Sequence, residues 1–310
     1  MKILLLGANG QVGFELARTL APLGELVCAT RSGILPGAIV CETADLDQSE
    51  KLLDLLDRIS PDLIVNAAAY TAVDRAEDEP ELADRSNHQA LAVLGGWAKK
   101  RGASIVHYST DYVFDGRATR PYREDDVTAP LGVYGRSKLA GEQALRDSGC
   151  RHLILRTAWV YGARGQNFLR TMLRIGAQRE QLNVVADQRG APTCSRLIAA
   201  TTAALLSRWL GWNEIQRSGA CGIYHLSAAG ECSWHEFASA IMRAGLAAGL
   251  LARLPQVIAI TTAEYPTKAA RPAYSVLNTQ RLQEKFGLVL PPWQQGLNDV
   301  IGELAEAARG

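Results

Sequence analysis

Short apolar runs alternate with stretches of helical spacing along the first half of the chain. Lys2 to Gly7 (KILLLG) is an uninterrupted apolar run closed by glycine, which predicts a strand buried on both faces. Glu25–Thr30, Pro61–Asn66, Ile105–Tyr108 and Arg151–Arg156 repeat that short apolar theme. Between them, FELARTLAPLG after Gly13, Leu52–Ile59, Glu81–Arg101 and the segment from Tyr134 to about Asp147 carry helical periodicity. Strict strand–helix alternation predicts an α/β fold with a doubly wound parallel sheet. Beyond Gly162 the alternation loosens. Helices are predicted at Asn167–Gln178, Arg196–Leu210 and Trp234–Leu250, the last with Ser233 as N-cap. Strands are predicted at Leu182–Val185, Gly222–Leu226 and Val257–Ile260, and Pro266, Pro272, Pro291 and Pro292 break up the rest.

The first strand, a glycine loop and the first helix form a recognisable unit. Gly7, Gly10 and Gly13 are spaced G-x-x-G-x-x-G between them. Glycines there let backbone N–H groups approach a pyrophosphate, and the helix N-terminus adds its positive dipole end. The fold class is therefore Rossmann-type, with a smaller C-terminal α/β substrate domain. The expected division is residues 1–160 plus a linking helix at about 193–220 for the dinucleotide, and 161–192 with 221–310 for the substrate.

Strand two ends in Thr30-Arg31-Ser32, with no acid to hold a ribose 2′-hydroxyl. Arg31 could instead pair with a 2′-phosphate through its planar fork of donors, which favours NADPH over NADH. A solvated loop arginine is the alternative. Asp45 and Leu46 could bracket an adenine; Asp45 as a helix N-cap competes with that. Small residues Ala67–Ala69, followed by Tyr70 and Thr71, leave room for a flat ligand over the strand ends. Asn87 either reaches a backbone carbonyl near the site or lies on the surface, and His88 is read as surface.

The reactive stretch runs from His107 to Lys138. Ser109-Thr110-Asp111 follow a buried strand, and Tyr134 and Lys138 stand four apart on one helix face. A phenol, whose pKa starts near ~10, is expected to fall towards neutrality beside an ammonium. With a strand-end hydroxyl on the same substrate oxygen, such a set can protonate a carbonyl as hydride arrives. Trp159 follows strand five at the carboxyl end of the sheet, where substrates sit; interdomain core is its alternative.

Size and composition set the frame. The 310 residues predict roughly two domains of about 150 each. A net charge of +1 gives no reason to invoke nucleic acid or an anionic membrane. No apolar run approaches the ~20 residues of a membrane span. Six scattered cysteines without C-x-x-C are read as reduced thiols of a cytoplasmic protein.

Taken together, these residues resemble the extended short-chain dehydrogenase/reductase family, and more narrowly its dTDP-4-dehydrorhamnose reductase branch. The resemblance covers nearly the whole chain. It rests on GANGQVG at 7–13, VNAAAYTAVD at 65–74, HYSTDYVFDG at 107–116, VYGRSKLAGE at 133–142, RTAWVYG at 156–162 and DQRGAPT at 187–193. It implies Thr110, Tyr134 and Lys138 as catalytic residues. It places Gly10, Gln11 and Val12 on the pyrophosphate, Asp45 and Leu46 at the adenine, and Ala69, Tyr70, Thr71 and Tyr108 along the cofactor. Thr110, Asp111 and Trp159 would contact a dTDP-sugar. The implied reaction is reduction of the C4 ketone of dTDP-4-dehydrorhamnose by NADPH, with NADH possible. Some members bind magnesium at a dimer interface through acids; Arg196 replaces one of them here while Glu15 remains, so no metal is expected and a homodimer stays only possible. Asp111-Tyr112, where dehydratase relatives carry Asp-Glu, argues against water elimination. A 4-epimerase, or a non-catalytic regulatory subunit of the same fold, stays open.

Overall fold

A computed structural model describes residues 1–309. Nine strands carry the architecture: β1 (Lys2–Leu6), β2 (Glu25–Thr30), β3 (Glu42–Thr43), β4 (Leu63–Asn66), β5 (Ser104–Thr110), β6 (Arg151–Thr157), β7 (Gln181–Val185), β8 (Gly222–His225) and β9 (Gln256–Ile260). The main helices are α1 (Gln11–Leu20), α2 (Ser49–Ile59), α3 (Ala90–Arg101), α4 (Val133–Asp147), α5 (Phe168–Gln178), α6 (Ser195–Gly211), α7 (Trp234–Ala247) and α8 (Trp293–Arg309).

Seven strands form one parallel sheet in the order β8-β6-β5-β4-β1-β2-β3. The chain winds outward from β1 through β2 and β3, then returns to β4 on the other side. The order therefore reverses between β1 and β4, where Leu6 pairs with Asn66. Ligands of such sheets bind in the crevice above that reversal. Along β1 the side chains alternate: Ile3 and Leu5 join α1 and α6 below, while Leu4 and Leu6 join α2 and α3 above. Both layers are dry, which is why β1 reads as an unbroken apolar run.

A third core lies beyond β6. Leu169 of α5, Leu182 and Val184 of β7, Phe237 and Ile241 of α7 and Leu297 of α8 close it. β7 pairs in parallel with β9. Ser233 caps α7, as the sequence predicts, and Glu236 completes a reciprocal box with it.

Two expectations need correction. The strand predicted at Gly222–Leu226 falls in the expected substrate unit, yet Gly222–His225 hydrogen-bonds beside β6 at the edge of the main sheet. The helix expected from Glu81 to Arg101 is interrupted at Arg85–Gln89, which adopts a π turn. That turn carries Asn87, which is 1% exposed rather than on the surface. No helix among the described residues is long and apolar enough to cross a membrane.

Candidate active site

One cavity of about 950 Å³ opens over the carboxyl ends of the central strands. Its floor begins with the glycine loop. Gly7 has φ +76°, and a Cβ there would lie 2.7 Å from the Ala68 nitrogen. Gly10 precedes α1 and offers no side-chain cap, so the first N–H groups of that helix face the cavity beside Gln11 and Val12. Gly13 does not line the cavity. A Cβ at Gly13 would sit 2.0 Å from the Gly7 carbonyl, so this glycine lets α1 lie against the loop.

At the far end, Arg31 stands exposed on the rim and Asp45 and Leu46 form the wall. Asp45 is not the α2 cap: that position is Gln48. Its carboxylate accepts the Asp47 N–H at 3.2 Å, closing a turn ahead of the helix. Ala69, Tyr70 and Thr71 line the middle. Asn87 holds them from behind. Its Oδ1 accepts the Tyr70 N–H at 2.9 Å, while its Nδ2 donates to the Tyr70 carbonyl and the Ser137 hydroxyl, each at 3.0 Å. Gly141 of α4 makes that approach possible, since a Cβ there would meet the Asn87 carbonyl at 2.0 Å.

The reactive end is drier. β5 delivers Thr110, 5% exposed, which donates to Asp111 Oδ1 at 3.0 Å and accepts the Tyr112 N–H at 3.2 Å. Burial raises the Asp111 carboxyl to about 6, against the pull of the Ser275 and Thr110 hydroxyls. α4 presents Tyr134 and Lys138 to the same cavity. Gly135 between them is required, because a Cβ would lie 2.3 Å from the Tyr112 carbonyl. Tyr134 packs edge-on to Tyr112, with centroids 5.6 Å apart.

The electrostatics differ from the simple expectation. Burial raises the Tyr134 phenol well above its ordinary value, and the Thr110 hydroxyl opposes that rise. Tyr134 is half-buried, with an edge on the open cavity. Lys138 does not produce the expected fall. Its Nζ donates to the Tyr108 carbonyl at 2.6 Å and lies 3.0 Å from His107 Nε2. Burial brings Lys138 down to about 7, against Glu142. Tyr108 meets the cavity too, but its hydroxyl turns away to Thr202 of α6 at 2.8 Å.

Trp159 forms the wall opposite α4. It holds the left-handed φ of +48°, rare for a bulky residue, and stacks on Trp234 at 3.5 Å. Gly190 leaves the space its indole fills. It thus serves both as cavity wall and as part of the third core. Arg196 is bonded to Glu303, and Glu15 is buried beside Arg18 at 4.0 Å. Sequence reasoning missed His107 and the full role of Asn87; a histidine inside an apolar strand run was the available signal.

A parallel sheet whose winding reverses at a glycine loop, with Tyr-x-x-x-Lys and a strand-end threonine beside it, defines the class: a short-chain dehydrogenase/reductase. The family described as "RmlD substrate binding domain" matches residues 1–306. The chain is 46% identical to the dTDP-4-dehydrorhamnose reductase of Burkholderia thailandensis, over 98% of this chain and 99% of the other. It is 43% identical to that of Salmonella typhimurium, over 98% of both. Among solved structures, the dTDP-4-dehydrorhamnose reductase of Clostridium acetobutylicum superposes with a TM-score of 0.86 at 33% identity, covering 98% and 99%. That of Bacillus anthracis, solved with NADP, gives 0.83 at 34%, covering 97% and 99%. The chain belongs to the dTDP-4-dehydrorhamnose reductase family.

Proposed function

We propose that this protein reduces the C4 ketone of dTDP-4-dehydrorhamnose to dTDP-L-rhamnose with NADPH. The convergence of Thr110, Tyr134 and Lys138 on one cavity above the sheet reversal carries the reading. The residues present fit the dinucleotide. Gly7 and Gly10 offer a side-chain-free cradle, and Gln11 and Val12 open the helix with uncapped N–H groups for a pyrophosphate. Asp45 and Leu46 would hold the adenine, and Ala69, Tyr70 and Thr71 the middle of the cofactor. Arg31 on the rim suits a 2′-phosphate. The reduced nicotinamide supplies the hydride when bound.

Tyr134 gives its proton to the oxygen that gains charge. Its raised pKa keeps that proton in place at neutral pH. The Thr110 hydroxyl, turning its one proton from Asp111 Oδ1, donates to the same oxygen as charge develops. Lys138 holds the cofactor ribose side. Asp111 and Trp159 orient the sugar, Trp159 as a rigid apolar wall.

All six cysteines are free thiols, in keeping with a cytoplasmic site of action. Arg196, bonded to Glu303, stands where some relatives place a metal-binding acid, so a homodimer of this chain would be held without that metal.

The test is NADPH oxidation with the dTDP-4-dehydro sugar and its 3,5-epimerase, with the product identified by NMR. Stoichiometric NADP release and a rhamnosyl product are expected. Sugar conversion without net cofactor oxidation would reject the reductase in favour of an epimerase.

A further inference from the structure

Behind the reactive end lies a buried chain of three polar side chains, and the proposed reaction uses only the last of them. Asn66 ends β4, His107 sits in β5 and Lys138 in α4; they are 0%, 0% and 2% exposed. Each bond fixes the next. The Ala68 N–H donates to Asn66 Oδ1 at 3.1 Å, so the Asn66 amide turns its Nδ2 towards His107. That Nδ2 lies 3.2 Å from His107 Nδ1. An amide nitrogen can only donate, so Nδ1 must accept. A neutral imidazole then carries its proton on Nε2, which lies 3.0 Å from Lys138 Nζ.

This last contact has a chemical requirement. An ammonium has no lone pair. Nε2–H and Nζ therefore bond only when Lys138 is an amine. Lys138 spends one N–H on the Tyr108 carbonyl at 2.6 Å, and its free electron pair can face the ring. Once protonated, the lysine opposes a donor with a donor and gains by turning to the cavity, which it already lines.

We propose that His107 is a positioning residue, whose Nε2–H docks the Lys138 nitrogen as a free amine and releases it to the cavity on protonation. Position and charge of the lysine are thereby coupled. The proposal rests on the reading of Lys138 as a site residue. The surrounding groups agree. Burial alone holds His107 well below the ordinary histidine value, and the charge of a protonated Lys138 would push it further the same way, so the ring stays neutral in either state of the lysine. The Asn66 backbone carbonyl favours a protonated ring, but the ring's aligned bonds go to the Asn66 side chain and Lys138. Glu142, one turn along α4, favours the ammonium, yet it is itself clamped by Arg156 of β6 at 2.9 and 2.6 Å. Asp111 lies past the end of β5, β4 contributes only neutral Asn66, and in the π turn Asn87 alone is buried, Arg85 and His88 pairing instead with Asp47 and Asp84.

Nitrogen-15 histidine and carbon-13 lysine labelling of the full chain reads ring tautomer and Lys138 titration without turnover. The expected ring is neutral and protonated on Nε2 between about pH 7 and 9, with Lys138 titrating well below ordinary lysines. His107→Phe keeps a ring but removes the donor; the Lys138 titration should rise by roughly 0.5–1 unit. Asn66→Asp offers Nδ1 an acceptor, reverses the tautomer and should raise the titration further. A wild-type ring protonated on Nδ1 overturns the proposal even if neither variant folds. So does a Lys138 titration that neither substitution moves. If the reductase assay failed while tautomer and titration came out as stated, the coupling would stand and the reaction assignment alone would fall.

Discussion

At one end of the cavity Arg31 stands in solvent and Asp45 is half-buried; at the other, Thr110, Asp111 and Lys138 are 5%, 2% and 2% exposed. The rim end offers uncapped helix N–H groups and exposed charge, which salt screens. At the buried end, desolvation rather than a charged neighbour is the leading influence on Asp111, Tyr134 and Lys138. Proton placement is thus a property of the packed protein. The proposed cofactor preference rests on a single rim side chain, Arg31.

The contrast can be broken most sharply at Tyr134. Tyr134→Phe keeps the ring against Tyr112 and removes the proton donor. We expect kcat to fall by about 10²–10⁴-fold with NADPH binding retained, read by steady-state assay and cofactor titration. Asn87→Ala acts through packing. It leaves the Tyr70 N–H and carbonyl without their side-chain partner and should cost about 1–3 kcal/mol in denaturant unfolding. An effect confined to kcat would show that Asn87 supports the chemistry and not the loop.

A third prediction concerns pH. The folded Lys138 titrates at about 7, against ~10.4 unfolded. Between those values the unfolded chain binds more protons, so this lysine makes stability rise with pH across that window. Asp111, raised to about 6, acts oppositely and lowers stability as pH climbs from its ordinary carboxylate range to about 6. Lys138→Met should remove the rise above pH 7 and leave the acid side unchanged, as followed by unfolding across pH. The smallest effect is expected at the rim. Arg31→Ala should raise the KM for NADPH roughly 3–10-fold and spare NADH, with the difference shrinking in high salt. Equal loss for both cofactors would remove Arg31 as the reader of the 2′-phosphate.

The legible features are those written locally. β1, the glycine loop and α1 follow one another in the chain, and Tyr134 and Lys138 share a helix face by spacing alone. Asn87 and His107 escaped because their partners are remote: Tyr70 and Ser137 for one, Asn66 and Lys138 for the other. Asn87 also sits in a π turn that shifts the helical register its spacing implies. Gly222–His225 reads as a strand from its own residues. Only its pairing with β6, reached after a long excursion, says which sheet it joins. The expected effect of Lys138 on Tyr134 failed for a different reason: spacing puts two side chains on one face but does not say whom each one bonds.

The central claim is that Tyr134, backed by Thr110, hands a proton to a ketone in this cavity. Single-turnover hydride transfer from bound NADPH to the dTDP-4-dehydro sugar, in the native chain and in Tyr134→Phe, tests it most directly. Transfer slowed by about 10²-fold or more is expected, with both ligands still bound. Transfer at near-native rate in that variant would contradict it.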